Sequence, residues 1–188
     1  MRSFVVFLAT CVALSSAIVA CSGHRPVVDP PETKSAPSST ATSKPEDHGP
    51  PLDFILDPVA RDPDWTAASE SLRGKRAIVV VLTTWDGGSL ALLRELAPLL
   101  RTLPEDGACM LVAMQPLADR PLVAEFFDVE ETPCARAIGD PTRGRLGDLA
   151  KVTVIPATVV LRADGTLVGA APGQVKAKEV REVFDRAK

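Results

Sequence analysis

The chain contains no tyrosine, and its two histidines, His24 and His48, both lie in a stretch rich in proline, serine and threonine. From Leu52 onward there is no histidine at all. That absence excludes a Ser-His-Asp triad, an imidazole general base near neutral pH and a histidine-ligated zinc or copper site. No metal site and no cofactor is implied. None of the four cysteines, Cys11, Cys21, Cys109 and Cys134, is spaced from another as Cys-x-x-Cys, so no local dithiol motif is present. Runs of like charge are missing too, and the formal net charge is only -3. No electrostatic footprint for nucleic acid exists.

What is present is enough apolar material for one domain. The chain has 188 residues, 46% of them hydrophobic, which allows a single packed domain plus appendages. Arg2 precedes an apolar stretch at 4–20 that ends in Ile18-Val19-Ala20-Cys21. Residues 1–20 read as an export signal. The tetrapeptide resembles a bacterial lipobox, whose cysteine carries lipid, and this makes Cys21 the expected lipidation site and removes Cys11. An uncleaved membrane anchor is the alternative, since the segment is nearly long enough to span a bilayer. Either route places the domain outside the cytoplasm at a membrane surface, where disulfides persist. Ser22 after the cysteine points, by the same resemblance, to the outer membrane.

Residues 21–51 read as a tether. Between positions 22 and 51 there are seven prolines, eight serines or threonines and no aromatic residue. Such a segment cannot bury enough apolar surface to offset its ordering entropy. Its reach is ~30 Å if flexible and ~90 Å if mostly polyproline II. His24 and His48 are read as solvated tether residues.

The domain occupies 52–188. Residues 77–82 form an apolar, β-branched run, the pattern of a central parallel strand covered on both faces. Residues 89–103 carry apolar side chains at helical spacing, with Pro98 expected to kink the helix. A second apolar strand is expected at 108–114, a short amphipathic helix around Leu122, Val123, Phe126 and Phe127, and a short strand at 135–138. A helix is expected over 142–150 with Leu146 and Leu149 inward, beside a solvated face carrying Arg143 and Arg145. A strand at 156–162 then turns through Asp164-Gly165 into 167–169, a strong hairpin signal. A last helix carries Val175, Val180, Val183, Phe184 and Ala187. The order βαβ, αβα, ββα predicts an α/β sandwich with a mixed central sheet.

Two landmarks carry a family resemblance. The strand at 77–82 runs into Thr83-Thr84-Trp85 and then a helix, and Val154-Ile155-Pro156-Ala157-Thr158 is followed by Asp164-Gly165. Together they resemble the thioredoxin-like superfamily over roughly residues 72–188, and the extra helix and strand in the middle resemble its TlpA-like and redoxin branch. The resemblance implies a thioredoxin-like sandwich with an inserted helix-strand, and a cis proline at Pro156 facing the active-site helix. It also implies a groove at Trp85, Ile155 and Pro156 where extended peptides lie.

The chain departs from that family where the chemistry belongs. After the tryptophan the family has Cys-x-x-Cys, and here the residues are Asp86, Gly87, Gly88 and Ser89. A thiolate at a helix N-terminus attacks a disulfide and a second thiol resolves the intermediate. Asp86 keeps the negative charge there but cannot exchange disulfides, and it suits an N-cap. Ser89 cannot resolve a mixed disulfide. Val80 stands where thioredoxins carry a buried acid, and Pro98 lies nine residues after Ser89, where the family has a proline at five.

Cys109 begins the second strand and Cys134 precedes the inserted one. If those strands are parallel neighbours, the two can pair, provided their Cα atoms approach within ~7 Å. Two inert buried thiols and a relocated catalytic pair are the other readings. Three functions are therefore open. The first is a membrane-tethered binding or scaffold module with a peptide or protein partner and no dithiol chemistry. The second is a thiol-disulfide oxidoreductase or antioxidant protein using Cys109 and Cys134. The third is a folded spacer in an envelope assembly.

Overall fold

The computed structural model describes residues 49–59 and 67–188. The export signal, Cys11, the lipobox with Cys21, both histidines and nearly all of the tether lie outside the described residues. Among the described residues no helix is long and apolar enough to cross a membrane.

The elements in chain order are β1 (Ile55–Pro58), β2 (Ala67–Ala68), β3 (Arg76–Leu82), α1 (Gly87–Arg101), β4 (Gly107–Met114), α2 (Arg120–Asp128), β5 (Ala135–Gly139), β6 (Ala157–Leu161), β7 (Leu167–Pro172) and α3 (Ala177–Arg186). They build one seven-stranded sheet in the order β2-β1-β5-β4-β3-β6-β7. β3 pairs β4, and β4 pairs β5, in parallel. The other pairings are antiparallel. All seven residues of β3 are buried, as expected of a central strand covered on both faces.

Alternation along the strands sorts the core into two layers. Ile78, Val80 and Leu82 face one side with Leu92, Leu93 and Leu96 of α1, Phe127 of α2 and Phe184 of α3. Ala77, Val79 and Val81 face the other with Phe54, Leu56, Leu72, Leu146 and Leu149. This is the mixed α/β sandwich the sequence predicts, with α2 and β5 inserted between β4 and β6.

The structure corrects the sequence reading in three places. The helix expected over 142–150 is a series of turns followed by a 3-10 turn, Gly147–Lys151. Gly144 and Gly147 adopt φ of 65° and 53°, a left-handed geometry that an α-helix cannot contain. At Gly147 a side chain would also collide with the Asp53 carbonyl. Leu146 and Leu149 still point inward. Second, β1 and β2 extend the sheet beyond the five strands expected, because residues 54–56 pair with 67–69 and residues 57–59 pair with β5. Third, β7 runs to Pro172, past the expected end at 169. α1 itself continues through Pro98 and ends at Arg101, where Thr102 Oγ1 donates to the Pro98 and Leu99 carbonyls.

At the far end of the sheet the buried Arg76 forks onto Asp106 with two bonds of 3.0 Å. It also donates to the Phe184 carbonyl at 3.1 Å and lies 4.4 Å from the centre of that ring. This ties β3, the turn before β4 and the last helix into one network.

Candidate functional site

The buried strand β3 delivers Thr83-Thr84-Trp85 to the C-terminal end of the sheet, and α1 begins there. Asp86 is the N-cap of α1, with extended backbone and a side chain that accepts from Gly88 N at 3.2 Å and Ser89 N at 2.7 Å. Ser89 is fully buried, and its hydroxyl donates to Asp86 at 3.0 Å. That same oxygen accepts from Thr83 N at 3.0 Å. The Gly88 amide first, and then the Ser89 hydroxyl and amide, hold the Asp86 carboxyl below its ordinary range. Asp86 is therefore an anion in a finished cap, and Ser89 has both its donor and an acceptor position occupied.

Two glutamines complete this end of the molecule. Gln115, almost fully buried, accepts from Thr84 N at 3.1 Å. Gln174 donates from Nε2 to the Gly88 carbonyl. A Cβ at Gly88 would stand 3.0 Å from Asp86 Oδ2 and 3.2 Å from Gln174 Nε2, so glycine fits this close approach. Neither glutamine follows from the sequence. Gln174 lies 86 positions from its partner and Gln115 lies 31, and no motif surrounds either.

The Ile155–Pro156 peptide is cis. Val81 stands opposite Ala157, so Pro156 lies beside the end of β3, where the cap begins. The Pro156 carbonyl accepts from Gly173 N at 2.7 Å. Ile155 packs partly into the second core layer. Trp85 is 65% exposed and Val154 49%. Leu122, near the start of α2, is also exposed, and α2 follows β4 at the same sheet end. Trp85, Leu122 and Val154 are thus exposed apolar residues at this end of the sheet.

Cys109 and Cys134 are joined by a disulfide with a Cα separation of 4.7 Å. The parallel register explains the pairing. Met110 of β4 stands opposite Ala135 of β5, so the preceding residues of both strands face each other. Both cysteines are buried. Cys109 pairs in register with Ile78, whereas Ala113 pairs with Leu82 at the site. Four residues of strand, about 13 Å, separate the disulfide from the Asp86 end. The structure does not bring the cysteines to the cap. Val80, in the position of the family's buried acid, is part of the core. Arg143 pairs with Asp57 at 3.3 Å and Arg145 is exposed. Among the described residues no group of three or more His, Cys, Asp or Glu could hold a metal ion.

No family model matches the sequence, and no curated protein matches it. Solved structures do. A DsbF homologue from Corynebacterium diphtheriae superposes with a TM-score of 0.63 at 13% identity, over 79% of this chain and 96% of its own. A thiol-disulfide isomerase from Corynebacterium glutamicum gives 0.60 at 16% identity, over 73% and 95%. The exposed lipoprotein thioredoxin of Streptococcus pneumoniae gives 0.57 at 16% identity, over 71% and 98%. The chain has the thioredoxin-like fold of these structures.

Proposed function

We propose that this chain is an extracytoplasmic thioredoxin-like module, tethered to a bacterial membrane through lipid on Cys21, that binds a peptide or protein partner and performs no dithiol exchange. The outer membrane is the favoured location. The closed hydrogen-bond set of Asp86 and Ser89 carries the reading. The Asp86 carboxylate accepts three bonds and the Ser89 hydroxyl donates one and accepts one, all within the protein, and fold alone does not assign an activity. The exposed Trp85 and Val154 beside Pro156 supply an apolar surface for an extended chain. The folded-spacer reading differs in needing no such surface.

The Cys109–Cys134 bond favours a second reading, an oxidoreductase or antioxidant protein that uses this pair. Burial and distance from the Trp85 face weigh against it, because an exchanging disulfide must be reached by an attacking thiolate. One experiment separates the two. A redox titration of the protein would follow Cys109 and Cys134 by thiol labelling and intact mass. A bond resisting reduction below ~-300 mV supports the binding module, and one that opens and closes near ~-200 mV supports the oxidoreductase.

A further inference from the structure

Two carboxylates approach the exposed Trp85 from different elements. Asp86 follows it directly as the cap of α1. Asp119 comes from the 3-10 turn Leu117–Asp119 that leads into α2. The link is the Gln115 side chain. Its Oε1 accepts from Thr84 N at 3.1 Å, and its Nε2 donates to Asp119 Oδ2 at 3.4 Å. One amide group thus separates Asp119 from the residue before Trp85. The buried Asp140 fixes this turn by accepting from Leu117 N at 2.9 Å.

Neither charge is neutralised among the described residues. Asp57, Asp106, Asp128 and Asp148 each pair with an arginine or lysine, whereas Asp86 and Asp119 have no such partner. Arg120 is exposed and adjoins Asp119 in the chain without pairing to it, and Lys176 is turned to Glu95. The Gly88 amide and the Ser89 hydroxyl and amide hold Asp86 as an anion, and those dipoles leave its unit charge in place. Asp86 Oδ1 accepts one bond, from Gly88 N, and keeps a free acceptor position. The Trp85 ring adds an electron-rich face that also attracts a cation.

We infer that the partner segment bound at this surface carries a lysine or arginine, its stem lying on Trp85 and its charge held by Asp86 and Asp119. The inference rests on the binding-module reading above and names the chemistry of the partner. A long cationic side chain matches a surface of this composition. Its apolar stem covers the ring while its head stays at the wet rim. An acidic segment would be repelled by both carboxylates, and a wholly apolar one would leave them unanswered.

The test is a selection of random heptapeptides displayed on phage against the protein, with Trp85→Ala as the counter-screen. Lysine or arginine should be enriched over the starting library among the binders that need Trp85. In a synthetic copy of the best binder, replacing the cationic residue by norleucine should weaken binding about 5- to 10-fold, the share of a ring contact and exposed ion pairs. In Asp86→Asn/Asp119→Asn, which keeps a capping side chain on α1, that difference should shrink to about twofold, the share left to the ring. Salt at about 0.5 M should shrink it in the unaltered protein as well. Trp85-dependent binders without cationic enrichment, or a preference unchanged in the double variant, overturn the inference and leave the binding surface standing. No Trp85-dependent binder at all overturns both. Should the double variant fail to fold, the salt series decides, and a preference undiminished by salt overturns the inference.

Discussion

Reducing the Cys109–Cys134 bond is the perturbation with the most direct arithmetic. The bridge spans 25 positions of chain. Closing such a loop removes about 12 cal/mol/K from the unfolded ensemble, or ~3.5 kcal/mol at 25 °C in the chain-entropy account. The described domain, from Gly49 to the C-terminus, has roughly 140 residues, for which the entropy of unfolding near the midpoint is about 0.3 kcal/mol/K. The expected fall in Tm on reduction is therefore ~12 °C. Reduction is cleaner than substitution, because the thiols stay in place and no cavity is opened, whereas a Cys109→Ala/Cys134→Ala variant adds a packing loss. The assay is paired thermal melts with and without reductant, after intact mass has fixed the oxidation state of each sample. Linkage gives an independent check. A bond that stabilises the fold by ~3.5 kcal/mol is itself favoured by the fold by the same amount, about 75 mV more reducing than the same pair in the unfolded chain. Oxidised and reduced forms melting within ~3 °C of one another would refute the structural role. So would a protein isolated with both thiols free.

The other predictions concern the two ends of β3. Asp86→Ala should lower stability measurably in urea, and Asp86→Asn much less, since asparagine also caps. The folded carboxyl titrates below its unfolded value. Its contribution is therefore present above about pH 4 and lost as pH falls through the depressed folded value. Tm measured from pH 7 down to pH 2 should fall less steeply below pH 4 in Asp86→Asn than in the unaltered protein. Restoring thiols with Asp86→Cys/Ser89→Cys should create a reactive pair whose first thiol titrates below ~8.5, because the Gly88 and Ser89 amides and the helix N-terminus remain; thiolate absorbance against pH and insulin reduction measure it, and an unshifted, inactive pair would mean that the frame is no longer intact. Arg76→Leu should cost ~2 kcal/mol in urea denaturation, through the unpaired Phe184 carbonyl and the lost ring contact, and Arg76→Lys should restore only part of it because the fork onto Asp106 needs a guanidinium.

The parts of the fold legible in the sequence are those whose signal is local. β3, β4 and β6 are continuous apolar runs bounded by turns, and the Asp164-Gly165 turn marks the β6–β7 hairpin. β1 and β2 gave no such signal. They have four and two residues, one of them Pro58, and they are strands through tertiary pairing, β1 with β5 and β2 with β1. Leu146 and Leu149 lie three apart, a spacing that a helix and a 3-10 turn share. Gly144 and Gly147 decide between the two, and their weight was visible only in the backbone angles. At the candidate site, Asp86 before Gly87-Gly88-Ser89 reads as a cap because capping is a contact between near neighbours. The burial of Ser89 and the bonds from Gln115 and Gln174 depend on elements brought in from elsewhere in the chain.

Asp86 and Ser89 put a carboxylate and a hydroxyl at the start of α1, where the family resemblance would place two thiols. A helix N-terminus attracts negative charge, and Asp86 supplies it at the position where the family's attacking thiolate stands. Ser89 then spends its hydroxyl on Asp86 and on Thr83 N. This bonding braces the turn from β3 into α1 from inside. The covalent bond lies about 13 Å away along the sheet, where it fastens β4 to β5. Stability at the two ends of the central strands thus comes from different devices, and neither occupies the surface that Trp85, Leu122 and Val154 present. The binding proposed for that surface requires none of the groups that hold the fold to move.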